Sequence, residues 1–70
     1  MSRLPSVNSR EVVKAFDWQV ARQSGSHIIM VQGGHIATLS VPDHNPVAKG
    51  TLRSLIRTAG LTVVEFVAAL

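Results

Sequence analysis

Trp18-Gln19-Val20-Ala21-Arg22-Gln23-Ser24-Gly25-Ser26-His27-Ile28-Ile29-Met30-Val31-Gln32-Gly33-Gly34 is the stretch that decides the fold. From Trp18 to Gln23 the period changes to two, which reads as a strand with Trp18, Val20 and Arg22 on one face. Ser24-Gly25-Ser26 reads as a turn. His27 to Gln32 is rich in β-branched residues and reads as a second strand, with Ile28 and Met30 on one face and His27, Ile29 and Val31 on the other. Gly33-Gly34 predicts a tight hairpin. A third strand follows over 35–41, and Pro42-Asp43 ends it. Short turns of this kind make the three strands antiparallel.

Upstream, Asn8 is a good helix N-cap and Glu11 stands three residues on, the spacing of a capping box, with Val7 and Val12 placed as its hydrophobic staple. Val12, Val13 and Phe16 then recur at helical spacing, so a short first helix is predicted over about 9–17. Residues 1–8 read as a lead-in. Downstream, the loop 42–50 leads to a second helix opened by Gly50 and Thr51. Leu52, Leu55, Ile56 and Ala59 form its apolar face, and Arg53 and Arg57 share a polar stripe. Gly60 is placed to stop that helix. Thr62 and Glu65 then cap a short third helix, with Leu61 and Phe66 as the staple. The predicted class is α+β: a small α-β-β-β-α domain with a three-stranded antiparallel sheet, both longer helices on one sheet face, and a short C-terminal helix. The uncovered face should then expose Ile29 and Val31, a mark of a partner site.

Composition sets the limits. The 70 residues suffice for a single small domain, 1–70, and exclude a two-lobed enzyme with a deep cofactor cleft. Cysteine is absent, so neither disulfides nor thiolate metal ligation is available. Only 16% of residues are charged and mean hydropathy is +0.25, the opposite of a disordered composition. The apolar run Ile28-Ile29-Met30-Val31 is far shorter than a membrane span, and Arg3, Pro5 and Asn8 interrupt any apolar signal core, so a soluble cytoplasmic domain is expected. The net charge is +3 with a pI near 10.8, and five of the seven cations are arginines, suited to bidentate phosphate contact.

His27, His35 and His44 match no helix-borne or zinc-finger spacing, so no metal site and no cofactor are expected. Glu11, Asp17, Asp43 and Glu65 form neither a serine triad nor a carboxylate pair. Gly25-Ser26-His27 stands out, because an imidazole at a strand mouth near a basic surface can move a proton at neutral pH. On RNA little else is needed: the ribose 2′-OH loses its proton and attacks the adjacent phosphate, while arginines balance the developing charge. A structural strand histidine is the plainer alternative. Lys49-Gly50-Thr51-Leu52-Arg53 opens a helix and could hold a phosphate, or simply cap it.

Three linked motifs carry a resemblance over about Ser9 to Leu70: Arg22-Gln23-Ser24-Gly25-Ser26-His27, Thr38-Leu39-Ser40-Val41-Pro42-Asp43-His44, and Gly50-Thr51-Leu52-Arg53-Ser54-Leu55-Ile56-Arg57-Thr58-Ala59-Gly60-Leu61. Together they resemble the HicA toxin family. The resemblance implies a fold like a double-stranded RNA-binding domain and a metal-independent endoribonuclease that cleaves mRNA to arrest translation. It maps the catalytic histidine to His27 and implies a HicB-type antitoxin as partner, masking the active site. Arg22, Ser26, Lys49, Arg53 and Arg57 are the candidates for RNA contact. His27 serves as base toward the 2′-OH or acid toward the leaving oxygen, and His44 or water as the second proton-transfer group. Neither membrane nor DNA contact is expected of this chain alone. A non-catalytic RNA-binding module of the same fold is the rival. Two departures stand out: Asp17 precedes Trp18 where relatives often have glycine, and Gly33-Gly34 replaces a longer insertion. Asp17 is expected to take the left-handed turn geometry.

Overall fold

A computed structural model describes residues 4–70; Arg3, one of the five arginines, lies outside the described residues. In chain order the elements are α1 (Ser9–Phe16), β1 (Gln19–Ser24), β2 (His27–Val31), β3 (Leu39–Pro42), α2 (Lys49–Ala59) and α3 (Val63–Ala68). The strands form one antiparallel sheet in the order β1-β2-β3. The expected α+β order is therefore present.

The local signals hold. Asn8 Oδ1 accepts from the Glu11 N–H at 2.9 Å and Glu11 Oε1 accepts from the Asn8 N–H at 3.1 Å. Thr62 and Glu65 repeat the exchange at 3.1 and 2.9 Å. Asp17 ends α1 in the left-handed region at φ 56°, and Gly60 ends α2 at φ 79°. An aspartate holds that geometry more readily than most residues because its short polar side chain can hydrogen-bond locally.

Met30, Leu39 and Val41 on one sheet face pack with Val12, Phe16, Leu52, Leu55, Ile56 and Phe66 into a single buried cluster. The helices therefore lie on that face. The Phe16 and Phe66 rings meet at 5.1 Å with a 49° tilt, joining α1 to α3. Leu4, Val7 and Val47 are buried in the same core, and the Val47 N–H donates to the Val7 carbonyl at 2.9 Å. Leu4 and Val7 of the lead-in thus belong to the core, beyond the expected role of Val7 as a staple.

Three expectations are corrected. β3 is shorter than 35–41, because the turn at Gly33-Gly34 does not make a tight hairpin. Of the two glycines only Gly34 has positive φ, 81°, and the His35 N–H donates to the Gln32 carbonyl at 3.1 Å. That is the type II pattern, which splays flanking strands where a type I′ turn would continue them. The chain returns to the sheet only at Leu39, after the His35 ring has come within 5.0 Å of Trp18. The second correction concerns β1. Val20 pairs with Met30 and Arg22 with Ile29, so Ala21 is an extra residue in a β-bulge. A bulge inverts the alternation beyond it. Val20 therefore shares the helical side with Met30, while Arg22 shares the open face with Ile29. Third, Ile29 and Val31 on the open face are half-buried rather than exposed. Their direct cross-strand neighbours are Arg22 and Gln19, close enough to shield them.

Candidate functional site

The site is the open face of the sheet at the β1–β2 turn. Gly25 takes φ 59° and Ser26 does not have positive φ, the sign pattern of a two-residue type II′ turn with glycine first. That turn brings Ser24 opposite His27. On the other side His27 pairs with Pro42, and Ile29 lies between Arg22 and Ser40. Directly paired residues share a face, so Arg22, Ser24, His27 and Ser40 stand together on the side away from the helices. Arg22 is diagonal to His27, a separation of about 7–8 Å that a long side chain spans. All four are exposed.

The bulge at Ala21 produces this grouping. In a regular strand Arg22 would sit with Val20 above the helices and could not meet His27. Ser26 is the second central residue of the turn, exposed, with its carbonyl accepting from the Asp43 N–H at 2.6 Å.

The other candidates lie apart. Lys49 is the first residue of α2, whose N-cap Ala48 provides no side-chain cap, so plain capping by Gly50 or Thr51 is not what this helix start does. Next to it a shallow hollow is lined by Pro42, His44, Pro46, Ala48 and Thr51. Pro42 is the strand partner of His27, so this hollow borders the histidine's end of the sheet. Arg53 and Arg57 line a different hollow, with Ile56, Leu61 and Thr62, where α2 gives way to α3. They belong to the helical layer, on the other side of the sheet from His27. Among the described residues no group of three or more His, Asp or Glu side chains stands together.

Sequence reasoning missed Ser24 and Ser40 as neighbours of His27. Both become visible only once the strand register is known, and no local signal sets it. Asp43, read as a strand terminator, is a second omission: it bonds to residues 34 and 20 positions away.

Architecture and site together define a small α+β domain whose exposed histidine, arginine and serines collect on an uncovered sheet end. Comparison with protein families narrows this: the model described as HicA toxin of bacterial toxin-antitoxin matches residues 9–61, about three quarters of the chain. The chain belongs to the HicA toxin family, and so is the toxin of a toxin–antitoxin pair with a cognate antitoxin as its partner. The matched span contains His27 and every candidate RNA-contacting residue. Neither curated proteins nor solved structures give a match. No helix among the described residues is long and apolar enough to cross a membrane.

Proposed function

We propose that this toxin is an endoribonuclease that cleaves mRNA without a metal ion, and that His27 transfers the proton. The observation that carries the reading is the placement of His27 and Arg22 on one open face, brought about by the Ala21 bulge. A neutral imidazole takes the proton from a ribose 2′-OH, and the resulting oxygen attacks the adjacent phosphorus. The 5′-oxygen then leaves and gains a proton. The products are a 2′,3′-cyclic phosphate and a 5′-hydroxyl. If His27 instead delivers the proton to the leaving oxygen, the products are the same. Arg22 stabilises the extra negative charge on the pentacoordinate phosphorus. Lys49, beside the uncapped start of α2, holds a neighbouring phosphate, and Ser26 contributes a hydroxyl at the turn. Arg53 and Arg57, on the helical layer, serve phosphates farther along the strand. The partner is a HicB-type antitoxin that covers the open face, where the half-buried Ile29 and Val31 adjoin His27, and so blocks RNA. Such a partner acts in the cytoplasm, where the mRNA is.

The test is cleavage of single-stranded RNA in the presence of a chelator. Wild-type protein should cleave and leave 2′,3′-cyclic phosphate ends, and the His27→Ala variant should lose about two to four orders of magnitude in rate while still binding RNA. A 3′-hydroxyl product would indicate an activated water and reject 2′-OH attack. Binding without cleavage would favour the non-catalytic RNA-binding module, the reading supported by the distance of Arg53 and Arg57 from the turn.

A further inference from the structure

Asp43, on the opposite side of the sheet end, ties the turn that presents His27 to the helical layer. The Asp43 N–H donates to the Ser26 carbonyl at 2.6 Å, extending the β2–β3 ladder one step into the turn. The Asp43 carboxylate uses both oxygens. Oδ1 accepts from Ser9 Oγ at 2.9 Å, and Oδ2 accepts from Gln23 Nε2 at 3.3 Å. Ser9, the first residue of α1, is 5% exposed, the one buried polar residue among those described. Its N–H, one of the donors that a helix start leaves free, donates to Asn45 Oδ1 at 3.0 Å. The loop after β3 is thus fixed to the helical layer by Asp43 and Asn45, and the same Asp43 holds β1 through Gln23 and the turn through Ser26.

This arrangement has a geometric meaning. Gln23 points to the helical side, as its pairing with Ile28 requires, whereas its neighbours Arg22 and Ser24 point to the open face. Fixing Gln23 from below therefore fixes the strand that carries Arg22 above. Fixing the Ser26 carbonyl fixes the residue before His27. Among the described residues β1 has no other support of this kind: all six of its residues are exposed, and no helix packs closely against it. We infer that Asp43 is a positioning residue for the site, setting Arg22 and His27 relative to each other through Gln23 and the Ser26 carbonyl. The inference rests on the reading of His27 as the proton-transfer group.

The experiment compares wild type with Asp43→Ala, Asp43→Asn and His27→Ala. It measures steady-state RNA cleavage, thermal melting, and amide hydrogen exchange at residues 23–28. Asp43→Ala should lower kcat about tenfold with KM changed less than twofold, since a small misplacement of a reacting group acts on the chemical step. Exchange at 23–28 should accelerate while the amides of α2 keep their protection. Asp43→Asn should restore most of kcat, because its amide oxygen can still accept from Ser9 while its Nδ2 donates to Gln23, whose amide turns over to present Oε1. Unchanged kcat in Asp43→Ala overturns the inference, as does a loss shared equally by kcat, KM and α2 protection, which would make Asp43 a residue of general stability. If His27→Ala cleaves as wild type does, the catalytic reading fails. The exchange data then decide alone: unchanged exchange at 23–28 overturns the tie, and accelerated exchange there upholds it.

Discussion

The β1–β2 hairpin and the helical layer with β3 are built on different principles. In the helical layer the side chains do the holding: Val12, Leu52, Phe66, Leu39 and Val41 each have no exposed surface. In the hairpin Met30 alone is buried, and β1 is exposed along its whole length. Backbone hydrogen bonds, a two-residue turn and the contacts of Asp43 hold it in place. Under the proposed function, stability and chemistry are thereby separated in space. Substitutions in the core should change whether the domain folds, and substitutions in the hairpin should change what the folded domain does.

Phe66→Ala gives the sharpest contrast with His27→Ala. Truncating a fully buried phenylalanine costs about 3–5 kcal/mol, and a domain this small holds a margin of roughly 3–5 kcal/mol. The Phe66 variant should be mostly unfolded at 25 °C by circular dichroism, with activity absent for that reason. The His27 variant should keep the wild-type melting temperature while losing cleavage. A Phe66→Ala protein that melts like wild type would mean α3 is an accessory to the core.

Two arginines subdivide the functional side. Arg22→Ala should lower the cleavage rate by roughly 10–100-fold, short of the effect of a buried oxyanion donor because Arg22 is exposed. Arg53→Ala should leave the cleavage rate at saturating RNA unchanged, weaken binding of all sequences alike, and reduce the slope of log K against log salt by about 1. Equal effects of the two variants on both readouts would erase the distinction between the sheet end and the helical layer. The smallest effect is expected at Val20, which is 47% exposed on the helical side of β1. Val20→Ser should change stability by no more than about 0.5 kcal/mol in a urea titration. A larger loss would show that β1 contributes to the core.

What could be read from the sequence divides along similar lines. The capping boxes at Asn8 and Thr62, the glycine stop at Gly60 and the left-handed Asp17 are all local, each determined by residues within four positions. The apolar stripes of α1 and α2 follow helical spacing and were equally legible. The Ala21 bulge was not, because its cause is the register of β2 and the stretch contains no glycine or proline to mark it. The Gly33-Gly34 dipeptide signals a turn but not its type, and the type decides whether the strands continue. Val7 and Val47 meet across 40 residues of chain, and Asp43 gains its role through partners 20 and 34 residues away. Of the site, the histidine and its Gly-Ser turn could be recognised from the motif. The placement of Arg22 on the same face depended on the bulge.

The contact between Phe16 and Phe66 also sets an order in time. A growing chain lengthens by about 5–20 residues per second, so the ring that covers Phe16 is made roughly 3–10 s after Phe16 itself. The β1–β2 hairpin closes over only two residues and can form within about 1–10 μs once both strands are free to pair. Alone, a two-stranded hairpin is marginal in water. The turn that presents His27 is thus made well before α3, yet it gains a stable platform only when that helix arrives. During synthesis the ribosome carries a toxin that already has His27 but not the platform beneath it, and that platform closes only when Phe66 has been added.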